Sequence, residues 1–134
     1  MERNFKKTIA SLDEVFTFLE GELARHGPDP ATAYALTLAV EEFFTNFVKY
    51  NPESDRDVTV GVRLEGDALL VYLVARDVNA FDVTATGPVD VSLSLEERTP
   101  GGLGIHLSRH MLDDVRYDYA DRRSTITLVK RLRQ

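Results

Sequence analysis

Leu12, Val15, Phe16, Leu19 and Leu23 recur at intervals of three and four, which predicts an amphipathic helix with one apolar face. Ser11 followed by Glu14 reads as a capping box at its start, and His26-Gly27-Pro28 stops it. Asp29-Pro30 opens a second helix, since proline suits the first helical turn, and this helix runs to about Tyr50, where Asn51-Pro52 ends it. The period then changes. Val58, Val60, Val62 and Leu64 alternate with polar or small residues, and Leu69 to Ala75 is a more continuous apolar run. With Glu65-Gly66-Asp67 between them, they predict a hairpin whose second strand is the more deeply buried.

From 76 to about 100 the pattern weakens, broken by Asn79, Gly87, Pro88 and Pro100, with only a short alternation over Val89, Val91, Leu93 and Leu95. A connection that long inside a small domain is usually functional. Gly101-Gly102-Leu103-Gly104 opens a third helical stretch, Ile105 to about Leu112. Val115, Tyr117 and Tyr119, a turn at Ala120-Asp121-Arg122, and Thr125 to Leu132 predict a closing hairpin. The order helix, helix, hairpin, loop, helix, hairpin implies an α+β fold, a two-layer sandwich with helices on one face of a sheet. At 134 residues the chain is expected to be a single domain, 1–134.

Composition narrows the function classes. There is no cysteine, which removes disulfides, thiolate zinc sites and cysteine nucleophiles. No apolar stretch reaches the length needed to span a bilayer, and the charged start, Met1 to Lys7, is unlike a signal core, so a cytoplasmic location is expected. A net charge of −6 disfavours nucleic acid as a partner. The basic clusters Arg122-Arg123 and Lys130-Arg131-Arg133 read as a solvated strand end and tail. His106 and His110 stand one turn apart without a third ligand, and no Gly-x-Ser-x-Gly elbow is present.

Three features carry candidate chemistry. On the second helix Ala35, Ala39, Glu42, Asn46 and Lys49 with Tyr50 fall on one face, a small and polar stripe opposite Leu36, Val40, Phe43, Phe44 and Phe47. The stripe is either an ordinary solvent face or the floor of a site. The glycine-rich turn before the third helix could bring backbone N–H groups to an anion, or be a simple hinge. It is neither a Walker loop nor a Rossmann turn. Arg76-Asp77-Val78-Asn79 ends the buried strand and places a carboxylate at the mouth of the sheet, where it could accept a hydrogen bond from an adenine amine, or simply turn the chain. Taken together, a glutamate–asparagine pair able to hold Mg2+, a lysine one turn on, a glycine-rich helix start and an aspartate compose an ATP site.

In that order and spacing, Glu42-x-x-x-Asn46-x-x-Lys49-Tyr50, Asp77-x-Asn79 and Gly102-x-Gly104 resemble the N, G1 and G2 boxes of the GHKL (Bergerat-fold, histidine-kinase-like) ATPases. Within them the chain is most similar to the RsbW/SpoIIAB-type serine kinases that act as anti-sigma factors, through Leu38 to Glu42, Thr45-Asn46, Ala80-Phe81-Asp82, Gly101 to Leu107 and Thr127 to Leu132. The resemblance implies a Bergerat fold with a mixed sheet and an ATP lid over about 84–100. It implies that Asn46 ligates Mg2+, that Glu42 is the general base, and that Asp77 binds the adenine amine. Gly102, Leu103 and Gly104 would hold phosphates, Lys49 would contact them, Arg98 would approach the γ-phosphate, and Ser124 would support Asp77. The implied function is an ATP-dependent serine/threonine kinase and anti-sigma factor, with a STAS-type anti-anti-sigma protein as substrate, a sigma factor as partner, and a homodimer as assembly. Where the family has Asp-x-Gly this chain has Asn79, whose side chain would face the adenine pocket. That departure motivates an alternative, a nucleotide-gated binding module of the same fold. The Asn-x-x-Lys-Tyr-Asn-Pro run fits a further one, a detached histidine-kinase catalytic domain.

Overall fold

The apolar positions of both helices and of alternate strand residues meet in one cluster. A computed structural model describes residues 1–50, 55–78 and 112–132 of the chain. Strand β1 (Glu2–Phe5) is followed by a single 3-10 turn (Ile9–Ser11), helices α1 (Leu12–His26) and α2 (Pro30–Tyr50), and strands β2 (Val58–Glu65), β3 (Ala68–Arg76), β4 (Asp114–Ala120) and β5 (Arg123–Arg131). The strand order is β1-β2-β3-β5-β4, which makes β3 the centre of the sheet. All four described pairings are antiparallel, so the expectation of a mixed sheet is corrected for the described strands. The physical reason is local: β2–β3 and β4–β5 are tight hairpins, and β5 returns along β3 in the opposite sense.

Val58, Val60 and Val62 from β2, Leu69, Val71, Leu73 and Ala75 from β3, and Ile126 and Leu128 from β5 all face the helices. They pack with Val15, Leu19 and Leu23 of α1 and with Leu36, Val40, Phe43, Phe44 and Phe47 of α2. This is the two-layer α+β sandwich that the element order implied.

Helix ends differ in how they are made. Asp29 caps α2: its Oδ1 accepts the backbone N–H of Thr32 at 2.7 Å, and that bond holds the Asp29 carboxyl below its ordinary value. The capping box expected at Ser11 does not form. Ser11 is the last residue of the 3-10 turn, in right-handed helical conformation, and its hydroxyl shares a 3.1 Å hydrogen bond with that of Thr8. Gly27 closes α1 in the left-handed conformation, with its N–H bonded to the Leu23 carbonyl.

The turns of the two hairpins lie at opposite ends of the sheet. Gly66, at φ +62, turns β2 into β3, whereas Asp121 and Arg122, at φ +54 and +58, turn β4 into β5. Two left-handed residues are what a two-residue turn needs to match the twist of its strands, but glycine or asparagine usually supplies them. On the sheet face away from the helices, Gly61 lies opposite Tyr72, and the phenol ring occupies the space a Cβ at Gly61 would need. The Tyr72 hydroxyl donates to Glu2 at 2.6 Å, tying β1 to β3 across β2. No described helix is long and apolar enough to cross a membrane.

Candidate functional site

The polar stripe of α2 runs from the core outward. Ala35 and Ala39 are buried, Glu42 is only 9% exposed, Asn46 is half-buried and Lys49 is exposed. The structure thus decides against a plain solvent face for its first half. Two small alanines precede a carboxylate that is itself buried. Burial is the main cause that pushes the Glu42 carboxyl up to about 7, the neighbouring charge of Glu41 adds to it, and Lys49 pulls the other way. Near neutral pH such a group exists both as acid and as base, which is what proton transfer to or from a hydroxyl requires.

Asn46 stands one helical turn beyond Glu42, and Lys49 almost one more, so the three share a face at i, i+4 and i+7. No group of three or more His, Cys, Asp or Glu able to hold a metal occurs among the described residues. The amide oxygen of Asn46 is a donor of the kind Mg2+ accepts, since Mg2+ takes few protein oxygens and draws the rest from phosphates and water.

Asp77 follows directly on the last residue of β3 and adopts φ +57. Its carboxylate accepts a hydrogen bond from Arg56 at 2.9 Å, in an ion pair with both side chains more than half exposed. Its backbone is held from the other hairpin. The Arg122 guanidinium donates to the Asp77 carbonyl at 3.2 Å, the Val78 N–H donates to the Arg122 carbonyl at 3.0 Å, and the Tyr119 hydroxyl donates to the Val78 carbonyl at 2.9 Å. Val78 itself is fully buried, in the same cluster as Ala39, Phe43 and Phe47. Arg56, Arg76, Arg122 and Arg123 line a cleft of about 240 Å³ together with Asp77 and Asp121. Arg76 and Arg123 are directly opposed across β3 and β5, and Arg76 also donates to the Thr59 hydroxyl at 2.8 Å.

Ser124 is buried on β5, opposite Ala75 and on the helix-facing side of the sheet. Its hydroxyl lies 3.3 Å from that of Tyr117, which makes Tyr117 its described partner. Asn79, Arg98, Gly102, Leu103 and Gly104, the lid over 84–100 and most of the third helical stretch lie outside the described residues. Among the expected site residues, then, α2 carries Glu42, Asn46 and Lys49, while the β3 end carries Asp77. Arg122 and Arg123 are exposed at the start of β5, as their reading as a solvated strand end has it; both also line the cleft, and Arg122 reaches the Asp77 carbonyl. Tyr119, Arg122 and Arg56 were not singled out by sequence as site residues. For Arg122 there was one signal, the absence of glycine or asparagine from a turn as tight as Ala120-Asp121-Arg122; Tyr119 and Arg56 had none.

With this geometry in hand, the comparisons with known proteins agree with one another. A model of the histidine kinase-like ATPase domain matches residues 5–130. The serine-protein kinase RsbW of Listeria monocytogenes serovar 1/2a is 34% identical over 107 residues, covering 75% of this chain and 68% of the relative. Two solved structures share the fold. The RsbU and RsbW domains of a Mycobacterium tuberculosis protein superpose with a TM-score of 0.70 at 19% identity, over 98% of this chain and 32% of that one. A chain of the SiaB–SiaC complex from Pseudomonas aeruginosa superposes with a TM-score of 0.66 at 13% identity, over 96% of this chain and 88% of that one.

Proposed function

The chain belongs to the histidine kinase-like ATPase family, on its RsbW-type branch, and on that premise we propose that it is an ATP-dependent protein serine/threonine kinase that serves as an anti-sigma factor. Its substrate is a serine of a STAS-type anti-anti-sigma protein, and its second partner is a sigma factor. The observation that carries the reading is Glu42, a buried carboxyl pushed up to about 7 on the helix face that also bears Asn46 and Lys49. As general base it takes the proton of the attacking serine hydroxyl. The serine oxygen then bonds to the γ-phosphorus, and the bond to the leaving ADP oxygen breaks.

Asn46 offers a neutral amide oxygen to Mg2+, which takes few protein ligands and several phosphate or water oxygens. Bound there, Mg2+ would neutralise phosphate charge. Lys49 adds a positive charge on the same face. Asp77 reads the exocyclic amine of adenine, which must share or displace the hydrogen bond now supplied by Arg56. Phosphate contacts from Gly102, Leu103 and Gly104, the approach of Arg98, the lid and the support of Ser124 for Asp77 remain part of the proposal through the family resemblance. So do the homodimer and the cytoplasmic setting. The likeness to a chain crystallised in the SiaB–SiaC complex supports a protein partner.

A second reading is a nucleotide-gated binding module without phosphotransfer. It is favoured by the Asp77–Arg56 ion pair, which engages the carboxylate meant for the base. Calorimetric titration with ATP and ADP, with and without Mg2+, separates binding from its absence. We expect Mg2+-dependent binding that is lost in Asn46→Ala and weakened in Asp77→Ala. Binding followed by no transfer to any STAS substrate would favour the module, and no binding at millimolar nucleotide would remove both readings.

A further inference from the structure

Among the described residues, three that are not glycine adopt positive φ: Asp77, Asp121 and Arg122. Asp77 is distant in sequence from the other two, yet Arg122 is bonded directly to it. For aspartate the left-handed conformation is tolerable, because a short polar side chain can satisfy the backbone locally; for arginine it is a strained choice. Strain of that kind persists only where surrounding contacts enforce it. Here they are visible. Arg122 contributes its guanidinium to the Asp77 carbonyl and its own carbonyl to the Val78 N–H, while Tyr119 closes the corner on the Val78 carbonyl. The buried Val78 side chain anchors the corner from the core side.

We propose that Tyr119 and Arg122 are positioning residues for base recognition: the β4–β5 turn holds the Asp77–Val78 backbone in its left-handed corner and thereby aims the Asp77 carboxylate at a 6-aminopurine. This rests on the reading of Asp77 as the carboxylate that meets the base. The aim of a carboxylate only two bonds from a strained Cα follows the backbone closely, since φ helps fix the direction of Cβ. Loosening the corner then costs discrimination between bases more than it costs affinity for the triphosphate.

The test compares binding of ATP with binding of purine riboside triphosphate, which lacks the 6-amino group. The proteins are the full chain and its Tyr119→Phe, Arg122→Gly, Arg122→Lys and Asp77→Ala variants. Glycine keeps the left-handed turn and the carbonyl that receives the Val78 N–H, and removes the side chain with its guanidinium. A hydrogen bond to a charged carboxylate corresponds to a preference for ATP of about 10- to 100-fold in the parent protein. Tyr119→Phe and Arg122→Gly should each reduce that preference about three- to tenfold while binding of purine riboside triphosphate stays within about twofold, and Arg122→Lys should recover part of it. An unchanged preference in both variants overturns the inference. Equal weakening of both nucleotides also overturns it, because that is the mark of a merely structural turn. If the parent protein shows no preference, or Asp77→Ala keeps it, the failure lies in the base-reading role of Asp77, and the clamp falls with it.

Discussion

Glu42 lies on a helix with its carboxyl buried and its proton retained up to about 7, whereas the Asp77 carboxylate lies at a strand end, half exposed and paired with Arg56. The two acids of one candidate site are thus prepared by different means. On the helix the environment acts on the charge, through desolvation and the nearby Glu41. At the strand end it acts on direction, through hydrogen bonds to the carbonyl and the N–H of the Asp77–Val78 peptide. A group that must exchange a proton profits from a shifted equilibrium. A group that must accept a hydrogen bond from a ligand profits from a fixed position.

The contrast can be broken most severely at the helix. Glu42→Gln removes the base with little change in shape, so transfer of labelled phosphate to a STAS substrate should fall by about 10²- to 10⁴-fold while ATP binding is retained. Transfer at the parental rate would place the base elsewhere. The same substitution sharpens the contrast through stability. A carboxyl whose folded-state pKa lies at about 7 against an ordinary 4.5 favours folding most fully below 4.5, and that contribution is lost as pH rises through 7. Denaturant titrations across this window should show the parent losing up to about 3 kcal/mol on this account, with Glu42→Gln largely flat. A parent curve that is equally flat would show that Glu42 titrates as an ordinary surface acid.

The smallest effect tests whether conformational cost is kept only where the site needs it. Gly66 has open space around its missing Cβ, so Gly66→Ala meets no clash and only the strain of φ +62. It should cost about 1 kcal/mol. At the other end of the sheet, Arg122→Gly should be neutral or stabilising by up to about 1 kcal/mol, because relief of backbone strain offsets the lost guanidinium bond. Thermal unfolding of the two variants gives the comparison directly. A clear loss in Arg122→Gly would mean that the guanidinium, not the backbone, dominates the turn.

What the sequence made legible follows the range of the interactions involved. Both helices and the four strands from Val58 onward were readable because apolar spacing records which face is buried. Asp29-Pro30 was a true helix start because its cap is three residues long. Strand β1 was missed: it is an edge strand whose Glu2, Arg3 and Asn4 are exposed, so only Phe5 bears the imprint of the core. The capping box failed because the 3-10 turn before α1 takes Ser11 into helical conformation, which no local motif discloses. For the α2 stripe the sequence allowed two readings, and only the packing of Ala35, Ala39 and Glu42 beneath the surface distinguishes them. The hold of Arg122 on Asp77 joins residues 45 positions apart, and a pattern read in windows of a few residues carries no trace of it.

The seat of Tyr72 over Gly61 has a spectroscopic consequence. The chain contains no tryptophan and five tyrosines, so its near-ultraviolet absorbance above that of phenylalanine belongs to phenols. Burial first, and the hydrogen bond to Glu2 second, push the Tyr72 phenol up to about 12. In an alkaline titration its phenolate absorbance should therefore lag behind an ordinary tyrosine for as long as β1 stays joined to β3. The native chain thus carries an unlabelled optical reporter of its own sheet edge.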